Sequence, residues 1–286
     1  MRKIFVYFIA ILLGPILIFG ILFWQKDNIT DFWSDAQRMA AAPAPQTFEE
    51  VVGSEVVVPV VEPPIVEEIE EPTPDPVVEE EPEEEIPVLV TTPMPVEFNL
   101  AVPFTSQAPL ANWDVVHEDA CEEAAIYMVN AFYEGWPAGK IDPNQADIDL
   151  LKIVDYEKAL FGFFESTTAA QTAVLAEQMY GYERVEVIED PTVEDLKAHL
   201  VAGRPVIILA AGRMLGNPNF TGEGPLYHAL VLKGYTKTTF VTNDPGTRLG
   251  ADYQYSFDTI MEAMHDWNGG DVLNGAKVVV VIYPNN

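Results

Sequence analysis

From Ala41 to about Glu97 the chain is little but Pro, Glu and Val, as in E-P-P-I-V-E-E-I-E-E-P-T-P-D-P and E-E-E-P-E-E-E-I-P. Proline fixes φ and removes backbone donors, and like charges repel one another, so such a stretch has no means of closing a core. It is expected to be an extended, semi-rigid spacer, and at about 3.1 Å per residue its reach is on the order of 100 Å or more. The spacer divides the chain into residues 1–25, a stalk over 26–97, and a C-terminal region over 98–286 long enough for one full core. No Lys or Arg occurs between Arg38 and Lys140, so much of the formal charge of −30 lies in the acidic stretch. That balance argues against nucleic acid, whose recognition needs clustered Lys and Arg.

Ahead of the stalk, Met1-Arg2-Lys3 precedes an uncharged apolar run from Ile4 to Trp24. The run has about the length of a membrane-crossing helix, and its Gly14-Pro15 pair is tolerated in one. Arg2 and Lys3 lie before it and Asp27, Asp31 and Asp35 after it. The positive-inside rule then puts the N-terminus in the cytoplasm and the rest of the chain outside, on a single-pass signal-anchor at the cell membrane. A cleaved signal peptide is the rival, with Ala40-Ala41-Ala42 as small residues for cleavage, but its apolar region would be shorter.

Beyond Phe98 the pattern gives helices first and strands later, which reads as α+β with an antiparallel sheet. Helices are expected within Asp119–Tyr133, around Gln145–Lys158, over Ser166–Tyr180, after the Thr192–Asp195 capping box, and from Ser256 to about Trp267. Strands are expected over Arg184–Glu189, Pro205–Ala211, His228–Tyr235, Thr239–Thr242 and Ala276–Tyr283. Asn243-Asp244-Pro245-Gly246 reads as a turn.

Cys121 is the only cysteine in the chain. An internal disulfide is thereby excluded, and one Cys with four scattered His offers no metal-ligand spacing. The positions Ala125, Ile126, Met128, Val129 and Phe132 recur at helical spacing after it, while Asp119, Glu122 and Glu123 suit a cap and first turn. Cys121 therefore falls at or near the N-terminus of a largely buried helix, where unpaired N–H groups stabilise a thiolate or an oxyanion. The bland alternative is a small buried hydrophobe.

A thiol nucleophile needs a base, and the base needs an orienting partner. His199 falls on an amphipathic helix, His265 late in another, and His117 just ahead of the Cys121 helix. His228 opens an apolar strand directly after a Gly/Pro loop, a rigid mount with an open side. A hairpin of adjacent strands returns Asp244 or Asn243 beside it. Asp244 suits the task because a carboxylate fixes the tautomer, although Asp also caps D-P-G turns.

The ordered set V-P-F-T-S-Q, a Cys at a helix start, G-R-P-V-I-I-L, H-A-L-V-L-K-G-Y and N-D-P-G resembles the papain-like cysteine peptidases of the bacteriocin-processing, double-glycine type. It is most similar to stand-alone members not fused to a transporter, and the resemblance spans about Val102 to Tyr283. It implies a papain-like fold with Cys121 as nucleophile, His228 as base, Asp244 as orienting acid and Gln107 as oxyanion donor. It also implies a peptide or protein substrate and no cofactor. The chain departs from the pattern in two places. C-E-E stands where the family often has C-G-P, which sets two carboxylates against a thiolate, and an insertion containing Trp113 separates Gln107 from Cys121. No G-x-x-x-x-G-K-[ST] occurs, so an ATP-driven exporter is excluded.

The reading is a cell-surface thiol hydrolase with a depressed Cys121 pKa, its cleft lined by Trp113, Tyr227 and Trp267. An inactive module binding surface peptides, or a cell-wall amidase or transamidase, are the alternatives.

Overall fold

The computed structural model describes residues 30–31, 33–53 and 94–285. The apolar run expected to cross a membrane lies outside them, and no helix among the described residues is long and apolar enough to do so.

One seven-stranded sheet organises the molecule, with strand order β2-β7-β3-β4-β5-β6. These are β2 Val185–Glu189, β3 Val206–Ala210, β4 His228–Tyr235, β5 Thr239–Asn243, β6 Tyr253–Ser256 and β7 Val278–Ile282, with the short β1 Phe98–Asn99 paired to β4. Every pairing is antiparallel. The two central strands β3 and β4 are buried along their whole length, as is β7, which is why they read as near-continuous apolar runs rather than alternating ones.

After a first helix over 33–41 (α1) come α2 Phe48–Gly53, α3 Cys121–Tyr133, α4 Pro143–Phe161, α5 Ala169–Tyr180, α6 Val193–Val201 and α7 Phe257–Ala263. Local chemistry fixes their ends. Asp142 caps α4 and Pro143 opens it, Thr168 and Thr192 form capping boxes with Gln171 and Asp195, and Gly162 and Gly181 close α4 and α5 in the left-handed region. The helices α3, α4 and α5 pack on one another, α3 against β4 and α5 against β2 and β7. Nearly all of α3 is buried, from Cys121 to Phe132.

The stalk expected over 26–97 needs correction at its N-terminal end. Residues 54–93 lie outside the described residues, but 33–53 pack on the head. The Gln46 N–H donates to the Asn99 carbonyl and the Ala101 N–H returns to Gln46 O, so a segment far upstream is stitched beside β1. Val51 enters the main core, and Phe48 meets Phe132 and Tyr133 edge-on, with ring centroids 5.8 and 5.3 Å away. Arg38 donates to the Ala251 carbonyl at 3.0 Å, while Lys140 and Arg248 reach Asp35 and Asp31. Composition concealed this because the Phe and Val that anchor the segment sit among Pro, Ala and Glu. The folded head therefore begins well before Phe98. The last helix also ends earlier than its pattern implies, at Ala263, and β6 was not anticipated.

Candidate active site

The first half of the site is built by the sheet. His228 is the first residue of β4, opposite Ala210 on β3. The partner strand β5 pairs Asn243 with Val231, so the chain leaves the ladder at Asp244 and turns back over His228. The His228 Nε2–H donates to Asp244 Oδ1 at 2.7 Å. A carboxylate cannot donate, so this bond fixes the tautomer and leaves Nδ1 open for a proton.

Asp244 is itself fully buried and fully partnered. Its Oδ1 also accepts from the Gly246 N–H at 3.0 Å, and its Oδ2 accepts from the Tyr255 hydroxyl and from Asn217 Nδ2. Burial alone would raise its pKa. The His228 charge and these hydrogen bonds outweigh burial and hold the carboxyl below its ordinary value. Asn243 faces elsewhere, donating from Nδ2 to the Val102 and Pro103 carbonyls at 3.0 and 3.1 Å. It anchors the segment leading to Gln107 rather than the imidazole.

Gly246 matters here for space. A Cβ on it would stand 2.8 Å from His228 Cε1 and 2.9 Å from Phe220, so the turn can lie against the ring only because it carries no side chain. Phe220 meets the imidazole edge-to-face at 5.4 Å.

The second half is built by α3. Cys121 is its first residue, and Ala120, not Asp119, is the N-cap, with no side-chain cap bond. The backbone of Ala229, next along β4 from His228, faces the sulfur and acts to lower the thiol's pKa. Sγ donates to Glu122 Oε2 at 2.9 Å, and Glu122 Oε1 accepts from the Thr167 N–H at 3.1 Å. Among the described residues no hydrogen bond joins Sγ to the His228 ring. The thiol is 5% exposed. Burial first, then the Glu122 carboxyl, push its pKa well above the ordinary value. The resting thiol is thus protonated and covered, which corrects the expected low-pKa thiolate in an open crevice.

The three glutamates on this side are buried too. Burial pushes Glu122 up to about 8 and Glu157 up to about 7, and Glu123 also rises well above the carboxylate range, with Glu157 as its nearest charge partner. The first-turn carboxylates Glu122 and Glu123 lie inside, with Glu123 opposite Glu157 of α4.

Gln107 bridges the halves. Its N–H and the Ser106 hydroxyl both donate to the Pro245 carbonyl, at 2.9 and 3.1 Å, tying its loop to the turn after Asp244. Its Nε2 donates to the His117 and Glu118 carbonyls at 2.9 and 3.0 Å, just ahead of the Cys121 helix, while its buried Oε1 has no partner among the described residues.

The other histidines are occupied elsewhere. The His117 ring bonds Asp114 and lies 3.2 Å from Asp147, His199 meets Tyr283 edge-to-face, and His265 Nδ1 bonds the Gly275 carbonyl. Of the three aromatics expected around a cleft, Tyr227 packs on Trp267 with ring centroids 5.4 Å apart and its hydroxyl donates to the Thr167 carbonyl. Trp113 stands half-exposed on the loop between Gln107 and Cys121. Among the described residues no cluster of three or more His, Cys, Asp or Glu is arranged to hold a metal. Sequence reasoning did not find Tyr255, Asn217 or Phe220. Tyr255 lies on the unanticipated β6, and Asn217 and Phe220 lie in a Gly/Pro/Asn-rich loop where no periodicity singles them out.

Residues 99–269 match the sequence profile of the Peptidase_C39 like family. Among solved structures, the chain is similar to a candidate C39-like peptidase from Bacillus anthracis, with a TM-score of 0.45 and 16% identity over 66% of this chain and 98% of that one. No curated protein matches the chain.

Proposed function

The chain belongs to the Peptidase_C39 like family, a cysteine peptidase family, and on that footing we propose that it hydrolyses peptide bonds through Cys121, with His228 as base, Asp244 as orienting acid and Gln107 as oxyanion donor. The observation that carries the reading is the buried 2.7 Å pair of His228 Nε2 and Asp244 Oδ1, with the Cys121 sulfur facing the backbone of the very next residue on β4.

In this mechanism the Cys121 S–H proton passes to His228 Nδ1, and Asp244 stabilises the resulting imidazolium. The thiolate attacks the substrate carbonyl carbon. The charge that develops on the carbonyl oxygen is met by the Cys121 N–H and by the Gln107 amide, which must release a loop carbonyl to serve; one such donor is worth about 3 kcal/mol. His228 gives its proton to the leaving amine, and water then hydrolyses the thioester.

The sequence also supports a membrane anchor at Ile4–Trp24 with the head outside. Because 33–53 pack on the head, an anchor ending at Trp24 would hold it within about 30 Å of the bilayer at full extension, not at the end of a long stalk. A substrate near the membrane or wall suits that placement.

A second reading, a papain-like module that binds peptides without turnover, is favoured by the covered sulfur and its raised pKa. Iodoacetamide at neutral pH separates the two. The hydrolase reading expects the wild type to be alkylated and to cleave denatured casein, and Cys121→Ala to lose both. An unreactive wild-type thiol, or casein cleavage that survives Cys121→Ala, would discard it.

A further inference from the structure

We propose that Glu122 stays protonated, accepting the Cys121 S–H at rest and donating to the sulfur once the thiolate forms, a positioning residue for the nucleophile rather than a carboxylate that opposes it. This rests on Cys121 being the nucleophile.

The geometry carries the proposal. Glu122 is 1% exposed, and its two oxygens have different partners. Oε1 accepts the Thr167 N–H, as a carbonyl oxygen does, which leaves Oε2 as the place for a hydroxyl, 2.9 Å from Sγ. Only one hydrogen can lie between Oε2 and a thiolate, and it belongs to Glu122.

The surroundings favour the protonated form. The titratable groups facing Glu122 are Cys121 on its own helix, Glu123 beside it, Glu157 on α4, Asp119 ahead of α3, and Tyr227 before β4. Glu165, after α4, faces both Glu157 and Asp119, and Asp266, after α7, faces Tyr227. All are acids or neutral hydroxyls, and no Lys or Arg is among them. Buried carboxyls gathered without a cation cannot all ionise at neutral pH, so protons stay on them. The C-E-E sequence thus ceases to be an obstacle to catalysis.

The proton inventory balances. The S–H bond breaks and an N–H bond forms on His228 Nδ1. Glu122 keeps its own proton and turns it from solitary hydroxyl to donor, Oε2–H to S⁻. Charge-assisted bonds of this kind are among the stronger ones.

Because Cys121 is the only cysteine, the ultraviolet absorbance of the thiolate and iodoacetamide incorporation both report it alone. Wild type, Glu122→Gln, Glu122→Leu and His228→Ala are compared across pH, with a melting curve for each. Glu122→Leu removes the donor and is expected to slow neutral-pH alkylation at least tenfold. Glu122→Gln replaces the hydroxyl with an amide N–H and is expected to recover the rate to within about threefold of wild type. It should also erase the inflection that ionisation of Glu122 puts near pH 8 in the wild-type thiolate titration. Any other ordering overturns the proposal: Glu122→Gln as slow as Glu122→Leu, or Glu122→Gln tenfold faster than wild type, as removal of a repelling charge would give. Should Glu122→Leu fail to fold, persistence of the inflection in Glu122→Gln overturns it and its loss supports it. An unaltered rate in His228→Ala would count against the hydrolase reading while leaving the Glu122 result standing.

Discussion

The two halves of the site solve the burial of polar groups in opposite ways. On the sheet side, Asp244 is ionised and every oxygen it has is met by a donor, from His228, Gly246, Tyr255 and Asn217. On the helix side, the Glu123 and Glu157 carboxyls face one another with no cation beside them, and neutralisation by a proton replaces partnering by a charged or amide donor. A fully satisfied carboxylate sets a geometry that does not depend on pH near neutrality. A cluster of buried acids sets one that does. The lesson is that β4, β5 and the turn after them define where the base points, whereas protonation defines what the nucleophile touches.

The largest test of that contrast is Asp244→Asn. An amide of the same size keeps the packing but can present an N–H to Nε2 and force the wrong tautomer, so the fall in kcat/KM for casein hydrolysis is expected to be about 10⁴-fold with little change in melting temperature. A loss of only a few fold would mean that Tyr255 and Asn217, not His228, are the reason the carboxylate is there.

Gly246→Ala asks the same of the turn without touching a titrating group. Its φ is not in the left-handed region, so alanine is conformationally allowed, but the new Cβ needs the space held by His228 and Phe220. Displacing a base by on the order of an ångström costs about 10²-fold, and the effect should fall on kcat rather than KM. An active Gly246→Ala enzyme would show that the imidazole has room that the packing denies.

Legibility followed the same divide. The sheet side could be read because a strand pattern and an N-D-P-G turn at fixed separation return Asp244 or Asn243 beside His228. The pattern leaves open which of the two faces the ring; that follows from the register, with Asn243 on the last ladder position and its amide on the Val102 and Pro103 carbonyls. That Cys121 lies at or near the start of a helix was legible from periodicity; that it is the first residue was not. What the sequence hid were partners brought by tertiary packing: Glu157 opposite Glu123 across two helices, Thr167 over Glu122, and Tyr255 on a four-residue edge strand. The docking of 33–53 was hidden for a similar reason, since Phe48 and Val51 carry no period and find their places only against α3 and Gly203. The charged look of C-E-E misled because burial, not sequence, sets whether a glutamate is charged.

The smallest effect expected is on stability, and it separates the halves by sign. Asp244 is held below its unfolded value, so its contribution is present at neutral pH and is lost as pH falls through the acid range. Glu157 is raised to about 7 by burial. Between its unfolded value, near 4.3, and about 7, the folded chain holds a proton that the unfolded chain has released, so stability falls as pH rises through that window. Below the window both states are protonated and the cost disappears; above it the cost is complete. Glu157→Gln removes the titration while keeping a donor for Glu123. It is expected to lessen the decline in melting temperature between about pH 5 and pH 7, to which Glu122 and Glu123 also contribute, and to stabilise the protein at pH 8 by on the order of 1 kcal/mol. Thermal melts across that range decide it: a variant as steep as wild type would place the proton elsewhere, and with it the claim that the helix side is governed by protonation.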